Sequence, residues 1–215
     1  MYTVPAILLK LVLGMALAII LNKPFRGRNL LRVWFFIPWT IPRFAVAIIF
    51  LWVLSYSGGA NLFLGKFGLS PVFWLGPQHA LAAVTAINIW KGYPFFMVGI
   101  LAGLQVIPNE IYEAAAIDGA SGLQRFLYVT LPGLRDVILI ISALSTIWTF
   151  AEFDIVYLLT GGGPGDATNI LPVLTYLTAF RKYSMGQASA LAMLALPVYL
   201  LLIFGLVRII RKGEV

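Results

Sequence analysis

The sequence has no cysteine, a single histidine and few charged residues. Without cysteine it can form no disulfide, no thiolate-ligated metal site and no thiol nucleophile. The lone histidine, His79, leaves little room for histidine-based metal or acid–base chemistry. Charged residues make up 11% of the 215 residues, against about 25% in soluble domains. Hydrophobic residues make up 61%, more than a soluble core can absorb, so the composition predicts a polytopic membrane protein.

The net charge of +7 does not indicate a nucleic-acid partner. The basic residues stand in short groups at the ends of apolar segments, which is the pattern that sets the orientation of a membrane protein. The linker Asn22–Arg32 carries Lys23, Arg26, Arg28 and Arg32 and no acidic residue, and is the strongest such group. We therefore expect a lipid bilayer, and no nucleic acid, among the partners of this chain.

Five segments reach the length of about 20 mostly apolar residues that a bilayer-spanning helix needs. The second is long enough to need a tilt or a break, and Pro38 and Pro42 supply the break. The predicted spans are Tyr2–Leu21, Leu30–Tyr56, Ala80–Leu104, Gly133–Leu159 and Gly186–Val207. The sequence thus predicts an all-α fold, a polytopic transmembrane helical bundle in which residues 1–215 form a single domain.

The linkers between these spans predict an orientation. If Asn22–Arg32 is cytoplasmic, then residues 105–132 (the 105–132 loop) and the basic C-terminal tail are cytoplasmic too, while residues 57–79 and 160–185 lie outside. Arg181 and Lys182 in the last outer linker run against the rule. The N-terminus is then outside with no span before it. We expect that a first span is missing and that Met1 is an internal start or a truncation; a genuine five-span protein is the alternative.

The 105–132 loop is polar but does not have the composition of a flexible linker. Residues 113–116 favour a helix, and Gly119 is a natural helix terminator. Ser121 and Gln124 have the spacing of a capping box for a second short helix, which would place Leu123, Phe126 and Leu127 on one face. We expect a compact surface element that meets a partner.

The same stretch carries a family resemblance. Glu113-Ala-Ala, Gly119, Val129 and Leu131-Pro132 resemble the EAA motif of the permeases of binding-protein-dependent ABC importers, and EAAAIDGAS at 113–121 resembles their sugar branch, the maltose and glycerol-3-phosphate type. Valine at 129 replaces the usual isoleucine. Further similar segments lie at 90–95, 101–105, 153–154 and 159–164, and the resemblance extends from about Leu13 to Arg211.

The resemblance implies a type I ABC importer permease fold whose first family span is the one missing here. It implies a multi-pass protein of the cytoplasmic (inner) membrane of a prokaryote, with a second permease subunit, two ATPase subunits and an extracytoplasmic solute-binding protein as partners. The 105–132 loop would be the coupling helix that docks on an ATPase. ATP and Mg would be bound by that ATPase, and this chain would bind no cofactor. The implied coupling residues are Glu113, Ala114, Ala115, Asp118, Gly119, Ala120, Leu131 and Pro132.

A substrate pathway is implied within two of the spans. Polar residues inside a membrane are costly and often functional, and Asn88 and Lys91 stand beside Gly92 and Pro94, where a locally broken helix would expose backbone groups. Pairing of Lys91 with an acid on a neighbouring helix is the alternative. The positions that resemble sugar contacts of the maltose relative are Asn88, Lys91, Gly92, Phe95, Ser145, Trp148 and Thr149. Only Asn88, Gly92 and Ser145 are chemically alike, so a different ligand is expected.

No residue pattern here predicts an enzyme. Gly161–Gly165 lacks the Gly-Lys-Ser/Thr ending of a phosphate-binding loop. Glu152 and Asp154 are two residues apart and would point to different sides of a helix, unlike a glycosidase pair. We expect a non-catalytic, metal-free subunit that moves a carbohydrate or related solute, powered by a separate ATPase. The alternatives are an ABC permease for a non-sugar solute and, less favoured, a secondary transporter subunit.

Overall fold

The structure is a computed structural model that describes residues 2–212, with side chains at all of these except 206 and 209–212. Over these residues it is helical and contains no strand, which confirms the predicted all-α class. The helices are α1 (Thr3–Asn22), α2 (Arg28–Thr40), α3 (Arg43–Val53), α4 (Gly59–Gly65), α5 (Ala80–Val106), α6 (Asn109–Ile117), α7 (Gly122–Arg125), a π-helix (Phe126–Thr130), α8 (Leu131–Gly133), α9 (Arg135–Phe150), α10 (Asp154–Thr160), α11 (Leu171–Phe180) and α12 (Met185–Lys212).

Four stretches among the described residues are long and apolar enough to cross a membrane. They are Thr3–Asn22, Ala80–Val106, Arg135–Thr160 and Met185–Gly205. These agree within a few residues with the first, third, fourth and fifth predicted spans. The basic tail that was predicted to be cytoplasmic ends in residues 213–215, which lie outside the described residues, as do the side chains of Arg211 and Lys212.

The second predicted span is a bent helix pair. α2 and α3 meet at 93° across a short break. They have 13 and 11 residues, so at 1.5 Å per residue each is shorter than the roughly 30 Å hydrocarbon core of a bilayer. Pro42 is the residue before α3, whereas Pro38 lies inside α2. The predicted break is therefore present, at Pro42, but Leu30–Tyr56 is not one straight span.

The fourth predicted span is also interrupted, between α9 and α10. Glu152 lies in the interruption, and its Oε1 accepts a hydrogen bond of 3.3 Å from the amide of Ile155 in the first turn of α10. Beyond α10, the linker that was predicted to be an outer loop contains α11. This helix has 10 residues, about 15 Å of length, too short to span a bilayer alone.

The described chain divides into two compact units. The first comprises residues 2–6, 40–89 and 147–201. Within it α3 packs against α10, and Arg43 of α3 forms an ion pair of 3.5 Å with Asp154 of α10. The rings of Phe153, Tyr157 and Tyr176 pack on one another with centroids 4.8–5.1 Å apart. The prediction of a single domain over 1–215 stays a prediction.

The second unit comprises residues 7–39, 90–146 and 202–212. Its apolar core joins α1, α5 and the start of α9. The side chains of this core, each less than a tenth exposed, are Ala18, Phe96, Ile100, Leu101, Leu104, Leu134 and Ile141. Because Leu134 lies two residues after the end of the 105–132 loop, this core fixes the point at which the loop rejoins the bundle.

A single buried amide, Asn61 of α4, holds the irregular residues that surround it. Its Nδ2 donates to the carbonyl oxygens of Tyr56 and Val72 at 3.0 and 2.9 Å. Its Oδ1 accepts from the amide of Val72 and from the indole of Trp74 at 2.9 and 3.0 Å. One side chain thus joins three points of a segment that has little regular structure.

Replacement of Asn61 with aspartate should destabilise this segment. The new carboxylate keeps the acceptor but faces two carbonyl oxygens that have lost their donor, at a cost of about 1–3 kcal/mol. We expect the Tm of the purified protein in detergent to fall by about 3–10 °C and proteolysis within residues 57–79 to accelerate. Asn29→Asp, at an exposed position of α2, is the control and should change neither. An unchanged Tm for Asn61→Asp would show that these hydrogen bonds contribute little.

Candidate functional site

The 105–132 loop contains a helix that ends in a glycine turn. After α6, Gly119 has a φ of +79°, the left-handed conformation that glycine adopts without strain. The amide of Ala120 donates to the carbonyl of Ala115 at 2.9 Å, and that of Gly119 donates to Ala116 at 3.1 Å. This pair of bonds is a Schellman motif, which satisfies the last carbonyls of α6. The predicted helix end at Gly119 is confirmed.

The second half of the loop begins with the predicted capping box. The amide of Ser121 donates to Oε1 of Gln124 at 2.7 Å, and the amide of Gln124 donates to Oγ of Ser121 at 3.3 Å. α7 continues directly into the π-helix and α8. The π-helix was not predicted from the sequence. The three side chains predicted to share one apolar face are divided by the π-helix: Leu123 and Leu127 are exposed, whereas Phe126 is partly buried.

The loop is held to the second unit at its base and exposed on its outer side. The hydroxyls of Tyr112 on α6 and Thr130 on the π-helix are hydrogen-bonded at 3.0 Å, and Thr130 is buried. No residue of α6 or α7 is buried. The loop is thus a stiff element, capped at its turn and tied at its base.

The exposed side of the loop carries several large apolar side chains. Ile117 and Leu123, on either side of the glycine turn, are 86% and 68% exposed, and Tyr128 is 76% exposed. Clustered apolar exposure of this kind marks an interaction surface. Of the predicted coupling residues, Glu113, Ala114, Asp118, Gly119, Leu131 and Pro132 are exposed, and Ala115 and Ala120 are partly buried.

The residues of the predicted pathway occupy one face of each of two helices. Positions 88, 91, 92 and 95 of α5 have the spacing i, i+3, i+4, i+7, and positions 145, 148 and 149 of α9 have the spacing i, i+3, i+4. The expectation that the helix is broken near Gly92 and Pro94 is wrong, since α5 is continuous from Ala80 to Val106. Pro94 removes one backbone hydrogen bond, but the packed surroundings keep the helical path.

Three of these residues are buried polar groups. Asn88, Ser145 and Thr149 are 5%, 4% and 2% exposed, whereas Trp148 is 39% exposed. Oδ1 of Asn88 has no hydrogen-bond partner among the described residues. A buried acceptor without a partner is costly and is a feature that calls for an explanation such as a ligand or a water. Asn88, Trp148 and Thr149 belong to the first unit, and the other four residues belong to the second.

Lys91 has a structural role that its position in the sequence does not indicate. Its Nζ donates to the carbonyl oxygens of Pro38 and Trp39 at 3.1 and 3.2 Å, at the end of α2. Pro42 has no amide hydrogen to donate to Pro38, and the break before Arg43 interrupts the helical hydrogen-bond pattern there. The amino group of Lys91 therefore acts as a C-terminal cap for α2, where the helix dipole also favours a positive charge.

Two neighbours pack closely around this cap. The side chain of Lys10, 3% exposed, lies against Gly92, since a Cβ built on Gly92 would be 2.5 Å from Cε of Lys10. The ring of Phe95 stacks on Trp39 with centroids 5.3 Å apart. A side chain at 92 would have to displace the end of the Lys10 side chain, and Phe95 contributes to packing within the second unit.

The described residues offer little for metal or acid–base chemistry. Residues 2–212 contain no group of three or more His, Cys, Asp or Glu side chains that could hold a metal ion. Of the two carboxylates considered in the sequence, Asp154 pairs with Arg43 and Glu152 caps α10. Both have identifiable structural partners.

Comparison with known proteins places these features in a family. The profile of the family described as binding-protein-dependent transport system inner membrane component matches residues 10–213. The trehalose/maltose transport system permease protein MalF of Thermococcus litoralis is 44% identical over 181 residues, which are 83% of this chain and 60% of that protein. The sulfoquinovosyl glycerol transport system permease protein SmoG of Agrobacterium fabrum is 36% identical over 99% of this chain and 68% of that protein.

A solved structure has a similar fold. A chain of a bacterial alginate ABC transporter, solved with an alginate pentasaccharide-bound periplasmic protein, superposes with a TM-score of 0.82 over 95% of this chain and 74% of its own length, at 24% identity. The chain spans about 60% of the length of the first of the relatives named above. At 24% sequence identity, the structural similarity to this solved chain shows a shared fold.

Proposed function

Because this chain belongs to the family of binding-protein-dependent transport system inner membrane components, we propose that it is a membrane-spanning subunit of an ABC importer for a carbohydrate or related solute. Its fold is that of the type I importer permeases, in agreement with the fold predicted from the EAA motif. The proposed subunit has no catalytic activity of its own and binds no cofactor. ATP and Mg are bound by separate ATPase subunits.

The observation that carries this proposal is the geometry of the 105–132 loop. It combines a capped turn at Gly119, a hydrogen-bonded base at Tyr112 and Thr130, and exposed apolar side chains around the turn. A rigid element can transmit movement of a docked partner to the spans, whereas a flexible loop would absorb that movement. The proposed partner at this surface is an ATPase subunit.

The coupling residues have separate roles in this proposal. Ala114 and Ala115 allow close approach of the ATPase surface, since they have small side chains. Glu113, exposed on α6, contacts that subunit at the rim. Asp118, Gly119 and Ala120 form the turn, and Leu131 and Pro132 join the loop to α9. The second permease subunit, two ATPase subunits and the extracytoplasmic solute-binding protein complete the proposed complex.

The proposed orientation follows from the basic linker between α1 and α2. This linker and the 105–132 loop lie in the cytoplasm, as does the C-terminus, in the inner membrane of a prokaryote. The alternation of the spans then places residues 57–79 and 160–170 outside. The docking surface is thus on the side where ATP is available.

The proposed substrate class rests on the relatives and on the polar face of α5. The two relatives are named for trehalose and maltose and for sulfoquinovosyl glycerol, all glycosyl compounds. Asn88, Lys91, Gly92 and Phe95 on α5, with Ser145, Trp148 and Thr149 on α9, form the proposed pathway. Buried amide and hydroxyl groups such as Asn88 and Ser145 are suited to hydrogen bonds with sugar hydroxyls.

A reconstitution experiment tests the function. The protein would be co-expressed with the proposed permease, ATPase and solute-binding partners, purified as a complex and placed in liposomes. We expect the ATPase to co-purify and its hydrolysis of ATP to be stimulated by the binding protein loaded with its sugar. Transport of a sugar without any ATPase in the liposomes would instead indicate a secondary transporter.

Replacement of Asn88 or Ser145 with alanine tests the pathway. Each variant loses one buried polar group that could contact the solute, so we expect a rise of about five- to tenfold in the solute concentration needed for half-maximal transport. Co-purification of the ATPase should not change. Thr146→Ala is the control, because the Thr146 hydroxyl donates to the backbone carbonyl of Ser142 within α9. Unchanged uptake kinetics and selectivity in both Asn88→Ala and Ser145→Ala would contradict the pathway assignment.

A further inference from the structure

A second candidate site lies beside the 105–132 loop, within the second unit. It is a cavity of about 280 Å³ between the end of α1, the end of α5 and the loop. Its lining includes two cations, Lys23 and Arg125, together with the amide of Asn22. No lining residue is acidic; the full lining is Ile19, Asn22, Lys23, Leu104, Tyr112, Gly122, Arg125, Phe126 and Thr130.

The lining has the polarity expected at the boundary between hydrocarbon and water. Ile19 and Leu104 belong to membrane-spanning stretches and supply apolar surface. Lys23 follows α1 directly, and Arg125 is the last residue of α7. Neither cation makes an ion pair with a carboxylate in the described part of the chain. Two positive charges beside an apolar wall, with no neutralising acid, fit an anionic amphiphile.

The backbone around Arg125 supports a built site. The π-helix begins at the next residue and places Phe126 and Thr130, four residues apart, in the same lining. π-Helical turns are rare and occur frequently at functional sites. The hydroxyl of Thr130 is already bonded to Tyr112. The side-chain groups directed to an anion would therefore be those of Asn22, Lys23 and Arg125.

We propose that this cavity binds the phosphate head group of an anionic phospholipid. The proposal rests on the cytoplasmic orientation proposed above, because the inner leaflet carries anionic lipid and basic pockets between helices on that side hold lipid head groups. A volume of about 280 Å³ equals roughly nine water molecules at about 30 Å³ each. That space suits a head group, and the acyl chains would follow the apolar surface toward Ile19.

The bound head group would connect two parts of the protein that are otherwise separate in sequence. Lys23 is fixed to the end of α1, whereas Arg125 moves with the 105–132 loop. A phosphate bridged by both cations would hold the loop against α1. The bound anionic lipid would thus limit the movement of the loop.

The test measures retention of lipid, which requires neither ATP hydrolysis nor transport. The full-length protein, with the subunits that co-purify, would be exchanged into mixed micelles of phosphatidylglycerol and phosphatidylcholine, and the lipids that stay bound would be counted by native mass spectrometry. We expect selective retention of phosphatidylglycerol. Lys23→Gln with Arg125→Gln should weaken its binding by about tenfold or more, since each cation near a membrane surface contributes about a fivefold factor.

The matched control removes the same charge from the same side of the membrane. Arg26→Gln with Arg135→Gln changes two exposed cations that do not line the cavity, and should retain phosphatidylglycerol as the parent protein does. Equal losses in the two double variants would overturn the proposal in favour of general electrostatic attraction. Glycerol 3-phosphate and inorganic phosphate would be added as competitors. If either one displaces all of the bound lipid, the cavity binds a free anion, and the proposal is overturned as well.

Discussion

Gly119→Val should abolish the stimulation of ATP hydrolysis by loaded binding protein while leaving insertion into the membrane intact. A Cβ at Gly119 would meet no atom of this chain within 4 Å, so a clash within the chain does not cause the effect. The cause is the φ of +79°, which costs a residue with a Cβ about 1–2 kcal/mol and a β-branched residue more. The turn would move to relieve that strain, and α6 and α7 would lose the angle at which they meet the partner.

The measurement for Gly119→Val is ATP hydrolysis by the reconstituted complex, with and without loaded binding protein. Gly119→Asn is the matched control, because asparagine accepts the left-handed conformation far better than valine; it should retain most of the stimulation although its side chain is of similar size. If Gly119→Val leaves the stimulation by loaded binding protein unchanged, the proposed coupling role of this turn is contradicted. Equal loss in both variants would attribute the effect to side-chain bulk at the partner surface.

Lys91→Met should destabilise the protein and abolish transport. It removes the donor from the carbonyl oxygens of Pro38 and Trp39, and each partly buried carbonyl that loses this hydrogen bond costs roughly 1–3 kcal/mol. We expect the Tm in detergent to fall by about 5–15 °C. The bend between α2 and α3 would lose the group that stabilises it, although methionine fills a similar volume.

Two measurements separate this structural role from contact with the solute. Lys91→Arg keeps a donor near the two carbonyls and should recover part of the Tm. Lys66→Met, an exposed lysine in the linker after α4, controls for the loss of a charge and should leave Tm and transport unchanged. If Lys91→Met keeps the parent Tm but changes only the solute dependence of transport, then Lys91 serves the pathway and the cap is dispensable.

These two positions differ in how much of their role the sequence revealed. Gly119 follows a helix-favouring run and precedes a capping box, so local chemistry alone predicts a turn there, and the EAA motif connects it to a family. Lys91 appeared as a costly cation beside Gly92 and Pro94. Its partners are more than 50 residues away along the chain, and no local rule identifies them. Pro42 was the signal in the sequence that pointed to these partners, because it removes a backbone donor close to the end of α2.

The helix pair α2 and α3 shows the same limit. Proline at 42 predicts an interruption, because it lacks an amide hydrogen and restricts the residue before it. The angle of 93° is a property of how α2 and α3 pack on their own neighbours, and proline content does not encode it. α11 was missed for a related reason: ten mostly apolar residues are too few for a span, and only their packing in the first unit distinguishes a short helix from an apolar linker.

The sequence by itself determined the class of this protein, four of its five predicted spans, the capped turn in the 105–132 loop and the family, because these depend on composition, hydrophobic length and local backbone chemistry. The tertiary structure alone decided the angle at which α2 and α3 meet, that α5 runs unbroken through Pro94, that Asn61 joins an irregular segment, and that Lys91 caps α2. It also decided that Lys23 and Arg125, about 100 residues apart in sequence, share one cavity. Each of these depends on contacts between distant parts of the chain, which exist only when the helices are packed.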